Sequence, residues 1–227
     1  MTSLTALREN LAAIRGEIAA AAHRAGRDPS GIVLVAVTKT VGPEAYASLL
    51  DLGIPDVGEN RVLEALEKSR GAPAGLRWHL LGHLQTNKVR KAVSLFSTIH
   101  SVDSLKVAIA LQQEAVRAEK HLEAFVEINS GEAQKSGLDA GELAGFLREA
   151  AALDRLRWRG LMTMAPLAED PEASRPHFRR LRNLLEEGCR ILPGLTCLSM
   201  GMSRDFRVAV EEGATHLRIG TALFERH

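Results

Sequence analysis

Residues 32–39 read IVLVAVTK: six apolar side chains in a row, then Thr38 and Lys39. A run this apolar fits a strand covered on both faces, as in a parallel sheet, and the change to Thr-Lys marks its C-terminal end. Similar short runs recur along the chain, predicting further strands at 54–59, 77–82, 98–103, 122–129, 156–163, 196–201 and 216–220. Between them lie patterns of helical period at 43–52, 61–69, 87–96, 104–119, 140–153, 173–189 and 204–212. Strands alternating with helices at this interval imply parallel βαβ units. Upstream, Leu4, Leu7, Leu11, Ile14 and Ile18 share one face of an amphipathic helix over about 3–25, closed by Gly26 and Pro29. The fold class is α/β. Eight strands in 227 residues fit a compact (β/α)8 barrel with the N-terminal helix packed outside it; a doubly wound open sheet is the competing arrangement. No linker-like stretch or shift in composition divides the chain, so 1–227 reads as one domain.

Composition narrows the function. Hydrophobic residues make up 45% and charged residues 25%, ordinary for a globular protein. Lys plus Arg number 29 against 28 Asp plus Glu, and a net charge of +1 argues against a general nucleic-acid binder. No apolar run reaches the roughly 18 residues of a membrane span, and the charged N-terminal pattern is not a secretory signal. Cys189 and Cys197 have neither metal nor disulfide-framework spacing, which fits a reducing cytoplasm. Aromatic residues are 4% of the chain, and Tyr46 is the single tyrosine.

In a barrel of this kind, function belongs at the C-terminal strand ends. Those ends carry Lys39, Glu59 and Asn60, His83, Ser101 and Asp103, Asn129 and Ser130, Thr163, Ser199, Gly201 and Ser203, then Gly220 and Thr221. Lys39 is the sharpest feature. A lysine there can snorkel to solvent. At a barrel mouth its amine is expected to be partly desolvated, which favours attack on a carbonyl and Schiff-base formation. Two late turns, LSMGMSRDF and LRIGTALF, join a strand to a helix through glycine, so backbone N–H groups can approach an anion. Ser199, Ser203 and Thr221 add hydroxyls, although Ser203 can instead cap the helix beginning near Arg204. Arg218 shares a strand face with Gly220 and needs an acceptor, either a carboxylate such as Glu127 or a ligand heteroatom. His79 and His83 lack an HExxH pattern and Gly82 interrupts them, so no metal is assigned. Lys88, Arg90 and Lys91 form a basic helix face, the one feature that suggests nucleic acid. There is no GxSxG elbow and no phosphate loop of the Walker type.

Several segments, in one order, resemble the pyridoxal phosphate homeostasis protein family: VAVTKT, DVGENRVLEALEK, WHLLGHLQTNKVRK, IHSVDS, EINSGEAQKSG, GLMTMAP, LSMGMSRDF and HLRIGTALFER. They cover the chain from about Val35 onward. The resemblance implies a barrel similar to the N-terminal domain of alanine racemase. It implies pyridoxal 5′-phosphate (PLP) held as a Schiff base, the internal aldimine, on Lys39. The phosphate cradle maps to Ser199, Ser203, Gly220 and Thr221, and the arginine near the pyridine nitrogen to Arg218. Asn60 and His83 match motif positions near the pocket. Where the family commonly has IFGER, this chain has Phe224-Glu225-Arg226, a departure in the last turn.

The chemistry separates a carrier from an enzyme. Racemases of the related fold take a tyrosine from a second domain, whereas here Tyr46 lies in the helix after the first strand. An arginine beside the pyridine nitrogen does not protonate it, so the ring is a weaker electron sink. The reading is therefore a cytoplasmic PLP carrier in vitamin B6 homeostasis with little or no catalysis. It is a monomer or weak dimer that supplies apo PLP-dependent enzymes. The alternatives are a PLP-dependent amino-acid racemase and a barrel enzyme for a phosphorylated metabolite.

Overall fold

The computed structural model describes residues 3–131 and 136–225. Residues 132–135 of the EINSGEAQKSG segment, and Arg226 of the last motif, lie outside that description. All eight expected strands form: β1 Val33–Val37, β2 Asp56–Glu59, β3 Arg77–Leu80, β4 Thr98–Val102, β5 Leu122–Glu127, β6 Leu156–Met162, β7 Cys197–Ser199 and β8 His216–Ile219. They are all parallel, and each pairs with the next. Pairing of β1 with β8 through Val35↔Arg218 and Ala36↔Ile219 closes the sheet into a barrel and rules out the open alternative. Most strands end one or two residues earlier than their polar tails suggested. Thr38 still donates its N–H to the Gly58 carbonyl, so Lys39 begins the turn rather than ending the strand.

The helices are α1 Leu4–Arg24, α2 Ala45–Asp51, α3 Val62–Ser69, α4 Val89–Leu95, α5 Leu105–Arg117, α6 Leu143–Ala150, α7 Arg175–Cys189, α8 Phe206–Glu211 and α9 Thr221–Phe224. Ser3 caps α1, and its buried stripe of Leu7, Leu11, Ile14 and Ile18 packs on α8 and α9, outside the barrel as expected. Among the described residues no helix is long and apolar enough to cross a membrane.

Side-chain alternation gives the barrel two unlike cores. Outward residues such as Trp78, Leu80, Leu217 and Ile219 join a continuous apolar layer beneath the helices. Their neighbours His79, His216 and Arg218 are buried on the opposite strand face. The interior is thus built from histidines, Asp56, Ser199 and Arg218 around a small apolar cluster of Phe125, Met162 and Cys197. Hydrophobic burial holds the helices to the strands; the inside of the barrel has to be held by hydrogen bonds.

Candidate functional site

A cavity of about 330 Å³ lies at the C-terminal end of the barrel. Six of the eight residues singled out from the sequence line it: Lys39, Asn60, Ser203, Arg218, Gly220 and Thr221. A larger, open groove of about 510 Å³ follows α7. Its Arg175 and Arg179 are paired with Glu172, Glu211 and Glu212, so chemistry rather than size points to the barrel mouth.

Lys39 is exposed, which corrects the expectation of a desolvated amine. The reason is its position two residues beyond β1, in a turn that opens to solvent. The backbone before it is nevertheless fixed. The Thr38 carbonyl accepts from Lys68 Nζ at 2.7 Å, and Thr38 Oγ1 donates to Glu59 Oε1 at 2.6 Å. Glu59 is fully buried and also receives Lys68 Nζ at 2.9 Å and the Tyr46 hydroxyl at 3.3 Å. Tyr46 is itself buried, edge-on to Trp78. Burial, with Glu59 alongside, pushes its phenol well above the ordinary value, so it serves as a neutral donor behind the cavity wall.

Asn60 follows β2 and is exposed on the cavity rim. Gly82 lies against it: a Cβ at Gly82 would sit 2.3 Å from the Asn60 carbonyl oxygen, so only glycine lets these two strand ends approach. His83 turns elsewhere. Its Nδ1 pairs with Asp103 Oδ2 at 2.8 Å and its half-exposed ring does not line the cavity.

The two late turns meet at this mouth. Gly201, with φ +93°, turns the chain after β7 where a Cβ would lie 2.6 Å from that of Ala209. Ser203 then accepts the Ala222 N–H at 3.1 Å. Its hydroxyl therefore caps α9, after β8, rather than the helix after β7, whose own N-terminal residue is Asp205. One side chain joins both turns because the pairing with β8 runs on beyond β7, where the Arg218 N–H donates to the Gly201 carbonyl. Glu225, where the family has glycine, takes an ordinary extended conformation (φ −90°, ψ 145°) and accepts from Asn10 of α1 through its carbonyl. No glycine is needed there.

Arg218 is buried on the inner face of β8. Its Nη1 donates to Ser199 Oγ at 2.7 Å and its Nη2 to the Thr163 carbonyl at 2.9 Å. The Glu127 pairing is not made; Glu127 Oε1 accepts from Ser136 instead, and burial raises the Glu127 pKa. Burial likewise pushes the Arg218 guanidinium down to about 10, partly offset by the fields of Asp205 and Glu127. It remains charged at neutral pH. Ser199, expected in the phosphate cradle, is fully buried beneath Arg218 and does not line the cavity. The chain turns away after Ser199, leaving Ser203 to reach the mouth. His79 and His83 face different partners, His79 bonding Asp56 and His100 inside the barrel. Arg90 and Lys91 project to solvent from α4.

Sequence reasoning missed the apolar cover of the cavity, supplied by Met164, Pro166 and Leu167 after β6 and by Met202. GLMTMAP signalled it only as a motif. It also missed the Thr163 carbonyl, which is invisible to any argument from side chains.

A family model described as "Alanine racemase, N-terminal domain" matches residues 3–226. The "Pyridoxal phosphate homeostasis protein" of Aquifex aeolicus is 40% identical over 95% of this chain and 96% of its own length. That of Pseudomonas aeruginosa is 40% identical over 97% of this chain and 96% of its own. The structure of PipY from Synechococcus elongatus PCC7942 with PLP bound superimposes with a TM-score of 0.84 at 36% identity, covering 96% of this chain and 99% of that one. The chain belongs to the pyridoxal phosphate homeostasis protein family.

Proposed function

We propose that this protein binds PLP at the barrel mouth as a Schiff base through Lys39, and that it holds and supplies the cofactor in vitamin B6 homeostasis. The observation that carries the reading is convergence. A primary amine, a two-turn anion cradle from Ser203, Gly220 and Thr221, and a buried guanidinium share one cavity although they come from opposite ends of the sequence. The donor set matches the group: an amine for an aldehyde, N–H and hydroxyl donors for a phosphate, and a fixed positive charge facing the ring. The relative PipY is known with PLP bound, which supports PLP as the ligand. When bound, PLP would supply an electrophilic aldehyde and an electron-withdrawing ring.

Two features favour a carrier over an enzyme. Tyr46 is buried against Glu59 and cannot act as a base on the ring's far face. Arg218 stays charged and gives the pyridine nitrogen no transferable proton, which limits carbanion stabilisation. The cytoplasm and apo PLP-dependent enzymes remain the proposed setting and recipients.

Purified protein incubated with PLP is expected to show a visible absorbance band that borohydride abolishes, with the reduced adduct mapped to the Lys39 peptide. Lys39→Ala should lose the band while keeping its circular dichroism, and loaded protein should restore activity to an apo-enzyme without racemising alanine. An unlabelled Lys39 peptide sinks the assignment, and robust racemisation overturns the carrier reading.

A further inference from the structure

The barrel interior contains a chain of polar contacts that the PLP site does not itself require. From the mouth downward, Arg218 Nη1 meets Ser199 Oγ at 2.7 Å, and Ser199 Oγ meets His100 Nδ1 at 2.7 Å. His100 Nε2 lies 2.9 Å from His79 Nδ1, and His79 Nε2 lies 2.9 Å from Asp56 Oδ1. Asp56 is closed off by Arg77, whose Nε donates at 2.7 Å. Five strands, β8, β7, β4, β3 and β2, each contribute one side chain, so the chain crosses the barrel from its cavity to the opposite rim. His100 is fully buried and stacked on Phe125 at 4.5 Å, with the edge of His216 at 5.9 Å.

The direction of every bond follows from donor arithmetic. Arginine has no acceptor, so Arg218 donates to Ser199. The Ser199 proton then needs an acceptor, and His100 Nδ1 is in line for it. A neutral His100 carries its one proton on Nε2 and donates it to His79 Nδ1. The His79 proton therefore sits on Nε2, the nitrogen facing Asp56. Reasoning from the other end agrees, because an ionised carboxylate only accepts. Burial alone would raise the Asp56 carboxyl, but hydrogen bonds from Arg77 and His79 win and hold it at about 2. Burial pushes His100 well below the ordinary histidine value, and the charge of Arg218 acts in the same direction.

We propose that Ser199, His100 and His79 are positioning residues for Arg218: a one-way hydrogen-bond chain that ties its guanidinium to the carboxylate of Asp56 and fixes the face it presents to the cavity. Ser199 and the Thr163 carbonyl hold two of the five guanidinium N–H groups of Arg218, which lines the cavity. The consequence for PLP rests on the function proposed above; the chain itself does not.

Two measurements decide it. Long-range ¹⁵N–¹H correlation of the imidazoles at neutral pH, assigned through His79→Gln and His100→Gln, should find both rings neutral with the proton on Nε2. A proton on His100 Nδ1 reverses the chain and overturns the proposal. Ser199→Ala removes one hydroxyl from a small buried site. It should weaken PLP binding roughly 3- to 10-fold and shift the bound absorbance band, while the borohydride-reducible link to Lys39 persists. Wild-type affinity and spectrum in Ser199→Ala refute the positioning role. If the wild-type protein takes up no PLP, the functional reading fails by itself, and the tautomers still decide the chain.

Discussion

Arg175 and Arg218 are the same side chain put to opposite uses. Arg175, at the start of α7, is a quarter exposed and reaches three carboxylates: Glu172 at 2.6 Å, Glu211 at 2.7 Å and Glu212 at 3.1 Å. Those partners raise its pKa. Arg218 is buried and, among the described residues, bonds a hydroxyl and a carbonyl, and burial lowers its pKa. One guanidinium gains from its surroundings; the other is held at a cost. A shift from 12.5 to about 10 corresponds to a penalty on the order of 3 kcal/mol for keeping the charge. A charge kept under that penalty, at the wall of a cavity, fits the ligand-binding role proposed above better than a purely structural one.

The largest expected effect tests that inversion. Arg218→Met keeps the length of the apolar stem and removes the charge. PLP affinity should fall roughly 10- to 100-fold, the range for a lost charge-assisted hydrogen bond. Stability should stay within about 1 kcal/mol of wild type, because relief from desolvation offsets the two lost bonds. Breaking a buried salt bridge would instead cost roughly 3 to 5 kcal/mol. Urea unfolding and absorbance titration report the two halves separately. A loss above about 3 kcal/mol would make Arg218 a structural residue and erase its contrast with Arg175.

The same contrast explains what the sequence could and could not say. Each strand was legible because an apolar run breaks into polar residues at its mouth, as at Val37-Thr38-Lys39. The facing of Arg218 followed from alternation alone. Closure was legible only indirectly, from the count of eight strands and from the family resemblance, because β1 pairing with β8 is a contact between chain ends that no local pattern encodes. Lys39 was found but its exposure was not, since it lies two residues beyond the strand, where the turn begins. Ser203 was placed in the phosphate cradle, with a local cap as the alternative, and its bond to the Ala222 N–H was missed because that residue is distant in sequence. The histidines were hardest. His79, His100 and His216 look like polar interruptions of apolar strands, and only the closed barrel brings them together.

Acid should separate the two regions by pH window. Burial lowers His216 to about 4 and holds His100 well below the ordinary value, against about 6.5 for an unfolded histidine. Below pH 6.5 the unfolded chain binds protons that these folded rings refuse, so stability falls as pH falls. The slope is up to about 1.4 kcal/mol per pH unit for each ring. Glu127, whose pKa is raised, runs the other way and offsets part of this loss above its ordinary value of 4.5. The carboxyls of Glu211 and Glu212 are lowered, so their share is present above about 4.5 and is lost only below it. Urea midpoints should therefore decline between pH 6.5 and 5, with His216→Gln flattening that decline. A profile flat to pH 5 would mean that the interior rings are already charged in the folded state.

The smallest effect belongs to Arg175→Ala. The two glutamates it shares keep other partners, Arg24 on Glu211 and Arg179 on Glu212, so neither is stranded. A partly exposed ion pair contributes about 0.2 to 1 kcal/mol, and this substitution should cost no more than that. Because Arg175 and Glu172 reach solvent, 1 M salt, with a Debye length of about 3 Å, should reduce the difference. PLP affinity should not change, since Arg175 does not line the barrel mouth. Salt should leave the Arg218→Met defect in place, because the groups around Arg218 are screened by protein rather than by ions. A salt-insensitive loss in Arg175→Ala would mean that the α7 cluster braces the loop carrying Ser203 through Asp205, which accepts from Ser174 at 3.2 Å and from the Met202 N–H at 2.7 Å. The two arginines would then belong to one mechanically coupled site.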